Sequence, residues 1–271
     1  FTPNQFEVAG YQGDMTSWQA YGEFMYELNK GRDQLSPSMQ KVVHDLTDGL
    51  DSDVEKINVL YRYLQQNMRY VSVQLGIGGW QTFDANYVEA NKYGDCKALS
   101  NFMKSMLKEA GIESNATLIY ASSNLPFEVS SDFSFPMFNH MILHIPQEDY
   151  WLECTSNYAP PNYLGSSSEN RNVLLITPKG GKIVKTPEMG ITQNQKQSKT
   201  HITINPKGEA VLKNHITYTG ALQERLRYQS KTYTEKELKD ALLEQSDLPM
   251  SEINNLNFET SETMPTVAVE Y

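Results

Sequence analysis

Three side chains in this sequence could together carry out nucleophilic acyl chemistry: Cys96 in NKYGDCKALSNFMKSMLKEAG, His140 in FNHMILHI and Glu153 in YWLECTSNY. A cysteine attacks a carbonyl as its thiolate. An imidazole beside it holds that charge and moves the proton, and a third group on the far ring nitrogen fixes the imidazole's tautomer and orientation. Cysteine and histidine stand 44 residues apart (140 − 96), histidine and glutamate 13 (153 − 140), the second gap being short enough for one hairpin.

Whether the three can meet depends on the elements that carry them. Residues 95–110 read as a helix, with Leu99, Phe102, Met103, Met106, Leu107 and Ala110 on one face and Gly111 ending the run. Cys96 then lies in the first turn, where unpaired backbone N–H groups and the positive end of the helix dipole favour a thiolate. Asp95, just before it, reads as an N-cap or loop anchor. Downstream the period changes to two: residues 138–145 and 150–155 read as strands joined by the turn at 146–149. Phe138, His140, Ile142 and His144 share a face, as do Trp151, Glu153 and Thr155, and antiparallel pairing sets the His140 ring beside the Glu153 carboxylate. Each residue also has a bland use. Cys96 can fill a small apolar pocket, His140 can be a hydrogen-bonded sheet residue, and Glu153 can be a solvated carboxylate.

Around this core the pattern predicts three leading helices. Met15, Trp18, Tyr21, Met25 and Leu28 mark the first, and Ser36-Pro37 followed by Met39, Val42, Val43 and Leu46 the second. The third opens on a Ser52–Glu55 capping box and carries Val54, Ile57, Leu60, Tyr61, Leu64 and Met68. Residues 69–74 and 114–120 read as strands, and 121–136 as a polar loop. The glycines of LGIGGWQ match neither a GxxxxGK[ST] nor a GxGxxG phosphate loop. Residues 156–187 read as a rim loop and a β-hairpin completing the sheet, TQNQKQSK at 192–199 as a linker, 200–220 as a hairpin, 221–245 as helix, and the remainder as mixed turn and strand. His201 and His215 read as ordinary strand residues. The expected division is a first domain at 1–190 and a second at 191–271.

Composition narrows the class. With 39% hydrophobic residues the chain can bury a real core, and its net charge of −10 without a Lys/Arg cluster argues against nucleic acid or an anionic membrane as partner. No run approaches the ~18 to 20 apolar residues that cross a bilayer. Two cysteines supply neither a disulfide framework nor the CxxC spacing of a zinc site. The chain begins at Phe1 rather than Met, and we read it as a piece of a longer precursor.

The run RYVSVQLGIGGWQTFDANYVEANKYGDCKALSNFMKSMLKEAGIESNATLIY, with FNHMILHI and YWLECTSNY after it, resembles the core of the transglutaminase-like superfamily as found in bacterial envelope proteins, over roughly residues 50–165. The resemblance implies Cys96 as nucleophile, His140 as general base and Glu153 as orienting acid. It also implies a second oxyanion donor, beside the Cys96 N–H, from an indole or glutamine upstream: Trp80 ranks first, then Gln81 and Gln74. The sequence departs from the family pattern in having Glu153 where Asp is usual and Cys154 where proline or alanine is common. Strand alternation points Cys154 away from Glu153, so no Cys96–Cys154 disulfide is expected.

The expected fold is α+β, a papain-like/transglutaminase-like core with the helix-borne cysteine packed on an antiparallel sheet and an appended, mostly β C-terminal module. The expected reaction is acyl transfer on peptide or glutamine-type amides through a Cys-His-Glu triad, with hydrolysis favoured over cross-linking. No cofactor and no metal is expected; the partner is a protein or peptide substrate, and the resemblance implies a periplasmic or cell-envelope setting. A non-catalytic envelope binding or scaffold domain that keeps the fold is the alternative.

Overall fold

In the computed structural model, which describes residues 3–124, 127–246 and 252–271, the first long helices begin where a side chain can satisfy their free N–H groups. The hairpin β1 (Gln5–Val8) and β2 (Tyr11–Asp14) leads into α1 (Trp18–Asn29), whose N-cap Ser17 accepts from Ala20 N at 3.1 Å. Ser36 caps α2 (Pro37–Thr47) from the residue before its first-turn proline, and Ser52 and Glu55 form the reciprocal box that opens α3 (Asp53–Asn67). Next come β3 (Arg69–Tyr70), a 3₁₀ turn at Gly76–Gly79, α4 (Ala85–Asn91), β4 (Tyr93–Gly94) and α5 (Cys96–Glu109).

Five strands follow: β5 (Asn115–Ile119), β6 (His140–Ile145), β7 (Tyr150–Leu152), β8 (Asn172–Thr177) and β9 (Gly180–Lys185). They form one antiparallel sheet in the order β7-β6-β5-β8-β9. Leu143, Ile145 and Leu152 pack with Leu99, Phe102, Met103 and Met106 of α5, while Met141, Leu118, Leu174 and Ile176 pack with Trp18, Tyr21 and Met25 of α1. Helices α1 and α5 therefore lie side by side on one face of the sheet. The other face buries Ile119, Ile142, Trp151, Val173 and Leu175 beneath Leu164. Where α1 crosses β9 there is no room for a side chain: a Cβ on Gly22 would lie 2.0 Å from the Gly181 nitrogen.

The chain divides into two compact units, Phe1–Glu188 and Met189–Tyr271. The second holds β10 (Lys196–Ile204), β11 (Ala210–Thr219), α6 (Glu224–Thr232), α7 (Glu235–Leu243), β12 (Asn257–Thr260) and β13 (Thr266–Glu270), with strand order β10-β11-β13-β12. Leu226, Leu242, Val267 and Val269 form its core. Mixed helices, seven among the described residues, and mainly antiparallel sheets make the fold α+β with an extra sheet module at the C-terminus.

Several element boundaries differ from the sequence reading, each for a local reason. The strand expected at 69–74 stops at Tyr70 because its parallel partner β4 runs out where Asp95 starts capping α5. The linker expected at 192–199 becomes strand from Lys196: β10 is an edge strand with every residue exposed, so its polar composition reflects solvent contact. The helix expected over 221–245 breaks at Tyr233, because Thr234 and Glu237 form a second capping box and start α7 anew. The hairpin β1–β2 and helix α4 were not expected. The loop at 121–136 and the C-terminal run include residues 125–126 and 247–251, which lie outside the described residues. Among the described residues no helix is long and apolar enough to cross a membrane.

Candidate active site

Cys96 is the first residue of α5, and the backbone around it is built tightly. Asp95 caps the helix, its Oδ1 accepting from Ala98 N at 2.9 Å and its Oδ2 from the Lys97 ammonium, with both side chains buried. A Cβ on Gly94 would meet the Ala98 Cβ at 2.7 Å, so the position two before the cysteine has space only for glycine. The Cys96 N–H is one of the first-turn donors that a helix leaves without an intrahelical acceptor.

His140 opens β6 and Glu153 follows β7, in the hairpin expected from the sequence. The imidazole Nε2 lies 2.8 Å from Glu153 Oε2, and the Cys96 thiol is the ring's other polar neighbour. With Nε2 held by the carboxylate, Nδ1 is the nitrogen left for sulfur. Burial works against charge on this ring, but the Glu153 carboxylate and the Cys96 side chain outweigh it and raise the His140 pKa to about 10. At neutral pH the ring is an imidazolium. Burial likewise opposes charge on Glu153, but His140 and Thr155 hold its carboxyl below the usual range.

The extra methylene of glutamate is accommodated by clamping the carboxylate from both sides. Oε1 accepts from Thr155 N at 2.9 Å and from Thr155 Oγ1 at 2.5 Å, leaving Oε2 for the imidazole. This side-chain bond to the backbone two residues on also explains why β7 ends at Leu152 and not, as expected, at residue 155: Thr155 N is satisfied outside the ladder. From α3, Tyr61 donates to the Glu153 carbonyl at 2.7 Å, and burial pushes its phenol so far up that it remains a donor at any working pH. Thr155 and Tyr61 were not singled out from the sequence. The E-x-T spacing was the available signal for the first; nothing local announces the second.

The remaining candidates separate. Trp80 is half-buried and packs at ring-centroid distances of 6.0 Å from Phe6 and 6.2 Å from Phe24, within the apolar cluster that contains Cys96. Gln81 does not point its amide at the thiol: Nε2 donates to Leu28 O at 2.7 Å and lies 3.5 Å from the Tyr11 hydroxyl, which ties the loop to α1 and the first hairpin. Gln74 is exposed. Asp95 is the helix cap.

Cys154 is buried like Cys96 and both thiols are free, but their settings differ. Burial, and then Glu153, push the Cys154 thiol far up; its Sγ donates to Leu152 O at 4.0 Å, and the Ser100 hydroxyl is a second polar neighbour. Among the described residues no group of three or more His, Cys, Asp or Glu side chains could hold a metal ion.

Residues 40–158 match the family model of the transglutaminase-like superfamily, a span that contains Cys96, His140 and Glu153. No curated protein matches the sequence. Among solved structures the chain is similar to a presumptive protease from Parabacteroides distasonis ATCC 8503, with 14% identity over 92% of this chain and 51% of that one at a TM-score of 0.49. It is also similar to a presumptive cysteine protease from Cytophaga hutchinsonii, with 15% identity over 47% of this chain and 40% of that one at a TM-score of 0.34. The chain thus spans about half the length of the first of these proteins. The likeness to the transglutaminase-like superfamily thus lies within residues 40–158.

Proposed function

We propose that this domain is a thiol-dependent acyl-transfer enzyme acting on peptide or glutamine-type amides. The observation that carries the reading is the buried series in which the His140 ring lies between the Cys96 thiol and a Glu153 carboxylate clamped by Thr155. In this reading the Cys96 thiolate adds to the amide carbonyl, forming the C–S bond and moving the carbonyl electrons onto oxygen. The Cys96 N–H and the Trp80 indole N–H hold that oxyanion. Collapse restores the carbonyl and expels the amine, which takes the proton from His140 Nδ1, leaving a thioester and a neutral ring. His140 then draws a proton from water as the water oxygen attacks the thioester. Loss of the thiolate releases the acid and restores the charged pair. Hydrolysis is our preferred second half, since water needs no second binding site, whereas an amine acceptor would.

The test is iodoacetamide labelling read by peptide mass spectrometry, with Cys154 as internal control. Cys96 should label at neutral pH at least about tenfold faster than Cys154, and His140→Ala should slow Cys96 by a similar factor while leaving Cys154 unchanged. Equal, slow labelling of both cysteines in both proteins would overturn the enzyme reading in favour of a binding or scaffold domain.

A further inference from the structure

The space between α1 and α5 is not filled. A cavity of about 300 Å³ lies there, its apolar lining made by Ala116, Met141 and Ile176 of the sheet and Met25 of α1. Its polar wall is a stripe along α5, where Lys97, Asn101, Lys104 and Lys108 recur at helical spacing, starting about 100° round the helix from Cys96. Lys30 and Asp33, beyond the end of α1, complete the rim.

The charges in this wall do not balance. Four lysines meet three carboxylates, Asp33 in the wall and Asp95 and Glu27 beside it, which leaves a local charge of +1 (4 − 3) in a chain whose net charge is −10. Three of the lysines have carboxylates: Lys97 pairs with Asp95, Lys108 with Asp33 at 2.7 Å and Lys30 with Glu27 at 2.9 Å. Lys104 has no hydrogen-bonded or ion-paired acceptor among the described residues. Burial draws its ammonium below the ordinary lysine range, and its acidic neighbour, Asp33, is already held by Lys108. Nor are the amides free, since Asn101 donates to Arg32 O at 2.8 Å and Asn29 to Met25 O at 2.8 Å. A partly desolvated cation beside an apolar lining is a configuration that a bound anion stabilises.

We infer that this cavity binds a small organic carboxylate, its apolar body on Met25, Ala116, Met141 and Ile176 and its charged head on Lys104. The volume suits a ligand at the small end of the usual range, and a single unpaired ammonium suits a monoanion. The site shares no lining residue with the Cys96–His140–Glu153 set and does not depend on the acyl-transfer reading.

The probe is hexanoate, titrated calorimetrically into the whole chain, with hexanol and hexylamine as neutral and cationic molecules of the same length. Saturable one-to-one binding of hexanoate is expected, at least about tenfold tighter than hexanol, with no binding of hexylamine. Lys104→Met should weaken hexanoate at least about tenfold and Lys104→Arg should retain it. Failure of hexanoate to saturate in the millimolar range, or an affinity indifferent to Lys104→Met, overturns the proposal. Should Lys104→Met not fold, acetic anhydride acylation of Lys104 in the unmodified chain decides: protection by hexanoate supports the site and unchanged acylation sinks it.

Discussion

Two histidine–glutamate pairs on neighbouring strand segments, one in each unit, show how little distance alone says about chemistry. His140 and Glu153 meet at 2.8 Å, His215 and Glu270 at 2.6 Å as opposed residues of β11 and β13. The first pair is 16% and 11% exposed, the second 51% and 54%. Water screens the second pair, which at such exposure is worth about 0–1 kcal/mol. The first pair works in a low dielectric, with Thr155 clamping the other carboxylate oxygen and a thiol beside the ring, so its charge states are set by the protein. Burial and the third and fourth partners distinguish the candidate base from the ordinary surface pair.

The comparison breaks most decisively at the sulfur. Cys96→Ala should abolish amide turnover, and His140→Ala should lower kcat by about 10²- to 10⁴-fold, whereas His215→Ala leaves it unchanged; steady-state kinetics on a casein or glutamine-peptide substrate separates these outcomes. An equal loss in the His215 variant would show that the two pairs are not functionally distinct. Next comes stability. Glu153→Ala strands the buried ring and should cost about 3–5 kcal/mol in urea denaturation, and a value near zero would mean that the pair is solvated after all.

The clamp sharpens the same contrast. Thr155→Val removes one hydrogen bond to a buried carboxylate and should cost about 1.5–3 kcal/mol, with a smaller loss of activity than Glu153→Ala. The pH dependence follows from signs. The His140 pKa is raised from 6.5 to about 10, so its contribution to stability is complete below pH 6.5 and is lost as pH climbs towards about 10. Glu153 is lowered from 4.5, so its contribution is present above pH 4.5 and is lost in acid. The stability gap between the native chain and a His140→Gln/Glu153→Gln variant should therefore be widest between 4.5 and 6.5 and shrink towards alkaline pH. A gap that grows with pH would refute a charged His140. Smallest of all, Glu270→Ala should stay within about 0.5 kcal/mol of the native stability at every pH.

The helix starts were legible because their signals are local. Ser36-Pro37 and Ser52 with Glu55 place a side-chain acceptor within three residues of the N–H that needs it, and α2 and α3 begin there. The same signal stood at Thr234 and Glu237 and was passed over, which cost the division between α6 and α7. The β10 strand was missed for the opposite reason: an exposed edge strand has no apolar alternation to read. At the site, the meeting of His140 with Glu153 followed from a short hairpin, but Tyr61 reaches Glu153 across 92 residues and Gln81 turns to the Leu28 carbonyl across 53, and no spacing rule reports either.

What the sequence by itself determined is the set of candidate groups and the local geometry that presents them: a cysteine at a capped helix start, with glycine two residues before it, and a histidine and glutamate on one hairpin. Caps, alternation and short turns act over a few residues, so they are written where they act. Only the tertiary structure decided which groups are charged, which donors are already engaged and where the unfilled space lies. Those properties depend on burial and on partners brought in from distant parts of the chain, as Thr155, Tyr61 and the cavity between α1 and α5 show.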